Sequence, residues 1–158
     1  MRRHLPDAAA TEALGARLAG VVPWGSVVFL EGDLGSGKTT LIRGFLGALG
    51  HHGPVRSPTY ALVEPYALAG GTVYHFDLYR LSDAEELEYI GIRDFFGPEA
   101  ICLIEWPERG AGILPRADLR VQLSYAALGR NAWLVAGAGA GTAALEAMSD
   151  WRAMPAKT

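Results

Sequence analysis

The chain predicts an α/β fold, a mixed and mainly parallel sheet flanked by helices, with antiparallel strands in its C-terminal part. Three observations predict it. Val27-Val28-Phe29-Leu30 is a continuous apolar run, the signature of a strand buried on both faces. Gly32-Asp33-Leu34-Gly35-Ser36-Gly37-Lys38-Thr39 follows it and satisfies the pattern G-x-x-x-x-G-K-[ST]. Leu41, Ile42, Phe45, Leu46 and Leu49 then fall on one face at helical spacing. Strand, glycine-rich loop and helix in this order are the context in which the pattern describes a phosphate cradle, so the fold class is P-loop NTPase-like.

The 158 residues are enough for one domain with a full core, and residues 1–158 read as that domain. Half of them are hydrophobic and a fifth are charged, as in ordinary soluble proteins. A formal charge of −3 and a pI near 5.8 carry no footprint of a large nucleic-acid-binding surface. The single cysteine, Cys102, rules out an internal disulfide and suits a reducing compartment. It lies within the apolar run Ile101–Ile104, which points to packing. His4, His51, His52 and His75 offer no zinc-site spacing with one cysteine. Arg2-Arg3 is followed by Asp7 and Glu12, which break any apolar export segment, and no run approaches transmembrane length. The expectation is a cytoplasmic protein with no membrane partner.

Along the chain, Asp7 is placed to cap a first helix carrying Leu14 and Leu18 and ending before Pro23. After the strand, loop and helix, His51-His52 reads as a solvated turn, Gly53-Pro54 breaks the chain, and Ser57-Pro58-Thr59 makes a second turn. Tyr60–Tyr66 and Thr72–Asp77 are expected as two strands of a hairpin through Ala69-Gly70-Gly71. Ser82-Asp83-Ala84-Glu85 reads as a capping box opening a short helix with Leu87. Ile101–Ile104 is a second buried strand that ends in Glu105-Trp106-Pro107-Glu108, and Pro107 restrains the residue before it. Leu119, Val121, Leu123 and Tyr125 alternate with polar residues, with Ala132–Val135 as a candidate partner strand. Gly137–Thr158 reads as a weak helix and then a tail frayed from about residue 150.

The chemistry begins at the loop. Glycines let successive N–H groups of Gly35, Ser36 and Gly37 point inward as an anion-binding concavity, and the helix opening at Lys38 adds its unpaired amides. Lys38 would reach the β- and γ-phosphates, Thr39 would ligate Mg²⁺, and Thr40 would contact a phosphate nearer the nucleoside. Only Lys38 and Lys157 among the 14 basic residues are lysines, so a lysine at this position is informative. Glu105, an acid where an apolar strand leaves the core, is the candidate metal anchor; an exposed loop carboxylate is the competing reading. Asp77 ends another strand and could position water or cap the next turn. Thr59 could be a switch hydroxyl or a turn residue, Trp106 could pack near the site or in the core, and Arg130 could stack on a purine or lie exposed.

Four segments in order, Gly32–Thr40, Ser57-Pro58-Thr59-Tyr60, His75-Phe76-Asp77-Leu78-Tyr79-Arg80-Leu81 and Ile104-Glu105-Trp106-Pro107-Glu108, closely resemble the bacterial TsaE (YjeE) family of small P-loop ATPases. Val63-Glu64-Pro65-Tyr66 and Glu86–Ile92 are similar to it as well. The resemblance spans about residues 7 to 135. It implies a role with the TsaD–TsaB pair in making threonylcarbamoyladenosine at position 37 of tRNAs that read ANN codons, with tRNA met only through that complex. By the same resemblance Lys38 contacts phosphates, Thr39 and Glu105 hold Mg²⁺ beside ATP, Asp77 and Thr59 join the site, and Trp106 neighbours the nucleotide. Ser36 stands where the family often has alanine, which leaves the loop amides in place. A small-molecule or nucleoside kinase would use the same loop, but the region after Glu108 has strand-like alternation where a kinase carries an arginine-rich lid. A nucleotide-gated binding module is the third reading.

Overall fold

The computed structural model describes residues 1–137 and 139–153. Seven strands among them form one sheet: β1 (Arg2–Leu5), β2 (Val27–Glu31), β3 (Val63–Leu68), β4 (Gly71–Asp77), β5 (Ala100–Glu105), β6 (Leu119–Tyr125) and β7 (Arg130–Ala136). Their order across the sheet is β1-β7-β6-β2-β5-β4-β3. The four central strands, β6, β2, β5 and β4, are mutually parallel; β7, β1 and β3 add antiparallel strands at both edges. The register sets Leu30 of β2 and Asp77 of β4 on either side of Glu105 of β5, so two acids leave the sheet side by side.

β2 shows why a continuous apolar run is needed at the centre. Val28 and Leu30 point into a core beneath helices α1 (Ala8–Ala19) and α2 (Lys38–Ala48), while Val27 and Phe29 point into a second core with Phe76, Leu78, Leu87 and Ile92. Both faces are covered, and each such side chain contributes about 1.5–3 kcal/mol by leaving water. By contrast β6 alternates, with Leu119, Val121 and Leu123 buried and Arg120, Gln122 and Ser124 exposed.

Helices α1 and α2 cross in direct backbone contact. A Cβ on Gly15 would overlap the Leu41 carbonyl, and one on Gly44 would overlap the backbone of Glu12. Asp7 caps α1 as expected, its Oδ1 accepting from the Ala10 N–H at 2.8 Å.

Several local expectations differ. The first hairpin strand begins at Val63, because Leu62 turns the chain with φ 66° and donates its N–H to Pro58 O. The capping box does not form: α3 (Glu86–Tyr89) has no side-chain cap, and Asp83 instead accepts from the Glu85 N–H in a local turn. His51 is half-buried, its ring packed edge-on against Tyr66 at 4.8 Å, so that turn is only partly solvated. The weak helix near the C-terminus is α4 (Gly141–Ala147). The segment after it is tied down as far as it is described, since Trp151 packs on the core and its carbonyl accepts from Arg3 Nε at 2.9 Å. The rest of the expected frayed tail, residues 154–158, lies outside the described residues. Strand β1, pairing with β7 from Arg2↔Trp133 to Leu5↔Arg130, was not expected from the sequence.

Candidate functional site

Loop 32–37 lies between the end of β2 and the start of α2, at the carboxyl ends of the parallel strands. Gly37 precedes α2 with φ 109°, a conformation open to glycine at little cost, and it turns the loop into the helix axis. The loop and the start of α2, whose first amides have no partner within the helix, then line one cleft of about 270 Å³ formed by residues 34–40, Ser57, Thr59, Asp77, Tyr79, Glu105 and Trp106. Lys38, Thr39, Glu105, Asp77, Thr59 and Trp106, separated by up to 68 positions in the chain, are thereby gathered into one place.

Lys38 is almost fully buried, 5 % exposed. Its Nζ donates to the carbonyls of Gly32 and Asp33 and lies 4.6 Å from the Trp106 ring centroid. Burial pushes its ammonium below the usual lysine range, against the opposing pull of Glu105 and Asp77. The indole is set by an unusual backbone. Before Pro107, where most residues are extended, Trp106 is left-handed, φ 56° and ψ 49°, a conformation costing a non-glycine residue on the order of 1–2 kcal/mol. Its ring rests against Tyr79 at 5.1 Å as well.

Glu105, 2 % exposed, accepts two hydrogen bonds on Oε2. His75 Nε2 lies at 2.7 Å and Ser57 Oγ at 3.2 Å. Because a carboxylate only accepts, Nε2 carries the imidazole proton. The Ser57 proton goes to Glu105, so the contact of 2.8 Å between Thr39 Oγ1 and Ser57 Oγ has Thr39 as its donor. A continuous chain therefore runs Thr39, Ser57, Glu105, His75. The competing reading of Glu105 as an exposed loop carboxylate is excluded by its burial.

Asp77 caps the following turn, one of its two expected roles, and also lines the cleft. Its Oδ1 caps the following turn by accepting from the Tyr79 N–H at 3.0 Å, while Oδ2 faces Thr59 Oγ1 at 3.4 Å in the cleft. Burial raises its carboxyl above 3.8, the Tyr79 bond opposes the rise, and the nearby Glu105 charge adds to it.

Arg130 lies apart from this group, while Thr40 borders the cleft as well. Both line a smaller adjoining pocket with Asp7, Thr11, Gly35 and Gly37. Arg130 stacks on Tyr125 at 4.4 Å and donates Nη2 to Gly35 O at 3.1 Å, and the Tyr125 hydroxyl donates to Leu34 O at 2.5 Å. Its guanidinium is thus engaged with the protein's own ring and loop. Sequence reasoning missed Ser57, His75 and Tyr125. For His75 the signal was present: a histidine two positions before Asp77 on one strand shares its face.

A glycine-rich loop joining a buried strand to a helix, with an acid ending the adjacent strand, places the molecule in the P-loop NTPase-like class of α/β proteins. Residues 5–132 match the family described as threonylcarbamoyl adenosine biosynthesis protein TsaE. The tRNA threonylcarbamoyladenosine biosynthesis protein TsaE of Haemophilus influenzae is 56% identical over 124 residues, 78% of each chain. That of Bacillus subtilis is 36% identical over 116 residues, 73% of this chain and 72% of its own. The crystal structure of Bacillus subtilis YdiB superposes with a TM-score of 0.81 at 26% identity, covering 94% of this chain and 93% of that one. The chain belongs to the TsaE family, whose role is in threonylcarbamoyladenosine biosynthesis on tRNA. No described helix is long and apolar enough to cross a membrane.

Proposed function

We propose that the chain is a Mg²⁺-dependent ATPase serving as an accessory subunit in this tRNA modification, working with the TsaD–TsaB pair. The observation that carries the reading is the single cleft in which loop residues 35–37, Lys38, Thr39, Glu105 and Asp77 converge. The donor set fits the metal: a hydroxyl and a carboxylate are hard oxygen ligands, and the acid is buried where an unneutralised charge is costly. Thr39 and Glu105 would hold Mg²⁺, which when bound neutralises phosphate charge. The loop amides and Lys38 hold the β- and γ-phosphates, and Lys38 gives up its two carbonyl contacts to do so. Asp77, fixed by Tyr79 and Thr59, orients the attacking water, and Trp106 and Tyr79 wall off solvent at the cleft mouth. Thr40 contacts a phosphate nearer the nucleoside, in the pocket bordered by Arg130.

The kinase alternative is disfavoured by the region after Glu108. It forms a 3₁₀ turn at Pro107–Gly110 and then β6, with no arginine-bearing helical lid among the described residues. Partnership with TsaD–TsaB rests on the family's resemblance. The test is ATP hydrolysis by the purified protein alone, with TsaD–TsaB, and with candidate acceptors. Weak activity that rises with the partners is expected; efficient phosphorylation of an acceptor without them sinks the reading. Glu105→Ala is expected to abolish hydrolysis while nucleotide affinity falls less than about tenfold, since phosphate binding rests on loop amides and Lys38.

A further inference from the structure

Two hydroxyls flank Pro58, and they do not face the same partner. Thr59 Oγ1 reaches only Asp77, at 3.4 Å, the weaker contact of the two. Ser57 Oγ lies between the two groups assigned above to the metal, 2.8 Å from Thr39 Oγ1 and 3.2 Å from Glu105 Oε2. Mg²⁺ binds oxygens octahedrally at about 2.0–2.1 Å, so neighbouring ligand oxygens sit about 2.9 Å apart. The two spacings around Ser57 bracket that edge length. Pro58 is buried and fixes the backbone next to the serine, and His75 Nε2 holds the same Oε2 at 2.7 Å.

We propose that Ser57 is a third protein ligand of the metal, its Oγ completing a face with Thr39 and Glu105. The inference rests on the nucleotide-binding reading above. The serine reaches the site on a turn outside the loop, so metal entry couples segment 55–59 to the nucleotide. The same hydroxyl joins Thr39 and Glu105 by hydrogen bonds.

The test is a change of metal preference, which a spacer would not produce. Bind Mn²⁺ to the ADP complex and follow it by electron paramagnetic resonance; then compete with Mg²⁺ and Cd²⁺ for wild type, Ser57→Ala and Ser57→Cys. Ser57→Ala is expected to weaken Mn²⁺ about tenfold, and Ser57→Cys to raise the Cd²⁺ preference over Mg²⁺ at least about tenfold, because thiolate favours soft metals. The chain's own Cys102 is 1 % exposed and does not compete for the ion. Fluorescent ADP bound without metal should differ less than about twofold among the three proteins. Unchanged metal affinity and preference in both variants overturns the proposal, as does an equal loss of metal-free ADP binding. Failure of the wild type to bind fluorescent ADP overturns the underlying reading instead.

Discussion

The outer side of loop 32–37 is braced, and removing the brace should weaken nucleotide binding by a calculable amount. Tyr125 donates to Leu34 O at 2.5 Å and Arg130 to Gly35 O at 3.1 Å, so two successive loop carbonyls are held from outside the loop and its backbone is fixed beside the cleft. Tyr125→Phe removes the first bond and keeps the ring. A neutral hydrogen bond nets about 0.5–1.5 kcal/mol, and with Tyr125 54 % exposed the lower half applies, about 0.5–1 kcal/mol. At 1.4 kcal/mol per tenfold, that is about a two- to fivefold rise in Kd for the nucleotide. Arg130→Met removes the second bond together with the stacking at 4.4 Å, about 1–2 kcal/mol or five- to thirtyfold. Because the two residues touch, the double variant should lose less than the product of the two. Titration with fluorescent ADP gives the affinities. Amide hydrogen exchange on the ligand-free protein should show residues 34–38 exchanging faster in both variants. Wild-type affinity and exchange in Tyr125→Phe would refute the brace. Loss of purine selectivity in Arg130→Met with unchanged loop exchange would return that residue to base stacking.

Helix α2 offers a paired stability test. A Cβ at Gly44 meets the backbone of Glu12, which cannot move aside, so Gly44→Ala should cost about 1–3 kcal/mol, or a Tm lower by about 2–10 °C. At Gly47 on the same helix a Cβ meets nothing within 4 Å, and Gly47→Ala should raise Tm through helix propensity worth up to about 1 kcal/mol. A thermal melt separates the two; equal shifts would contradict the close α1–α2 contact. Burial pushes the Cys102 thiol up from 9.0 to about 12, so it should resist a thiol reagent at pH 8 until the protein unfolds. The sign follows from the native state holding its proton more tightly: the thiol's contribution to stability is complete below pH 9 and is lost as pH rises toward 12, which denaturant melts across that window will follow.

The strand, loop and helix around Lys38 were legible because each carries its own local signal: an apolar run, a glycine pattern, a 3.6-residue stripe. Lys38, Thr39, Glu105 and Asp77 could be picked out because the ends of parallel strands are where such sites form. Strand β1 was not legible. Its residues Arg2, Arg3 and His4 look like surface, and what makes it a strand is β7, more than 125 positions away in the chain. Ser57 and His75 escaped for the same reason, since each meets Glu105 across a distant strand or turn, 48 and 30 positions off. Trp106 shows a different limit. A proline rule describes the average residue before proline, whereas packing of the indole between Lys38 and Tyr79 outweighs it here.

The order of the strands also decides how this sheet meets other chains. Its two outermost strands are β1 and β3, whose free edges would otherwise be templates for pairing. β1 is four residues long and carries Arg2, Arg3 and His4, and the Arg3 guanidinium is anchored to the carbonyls of Ser149 and Trp151. β3 has Glu64 exposed and Pro65 without a donor at its middle. Neither rim accepts another strand easily. The sheet is finished at both ends, which protects it from edge-to-edge aggregation and directs any partner to its loops and faces.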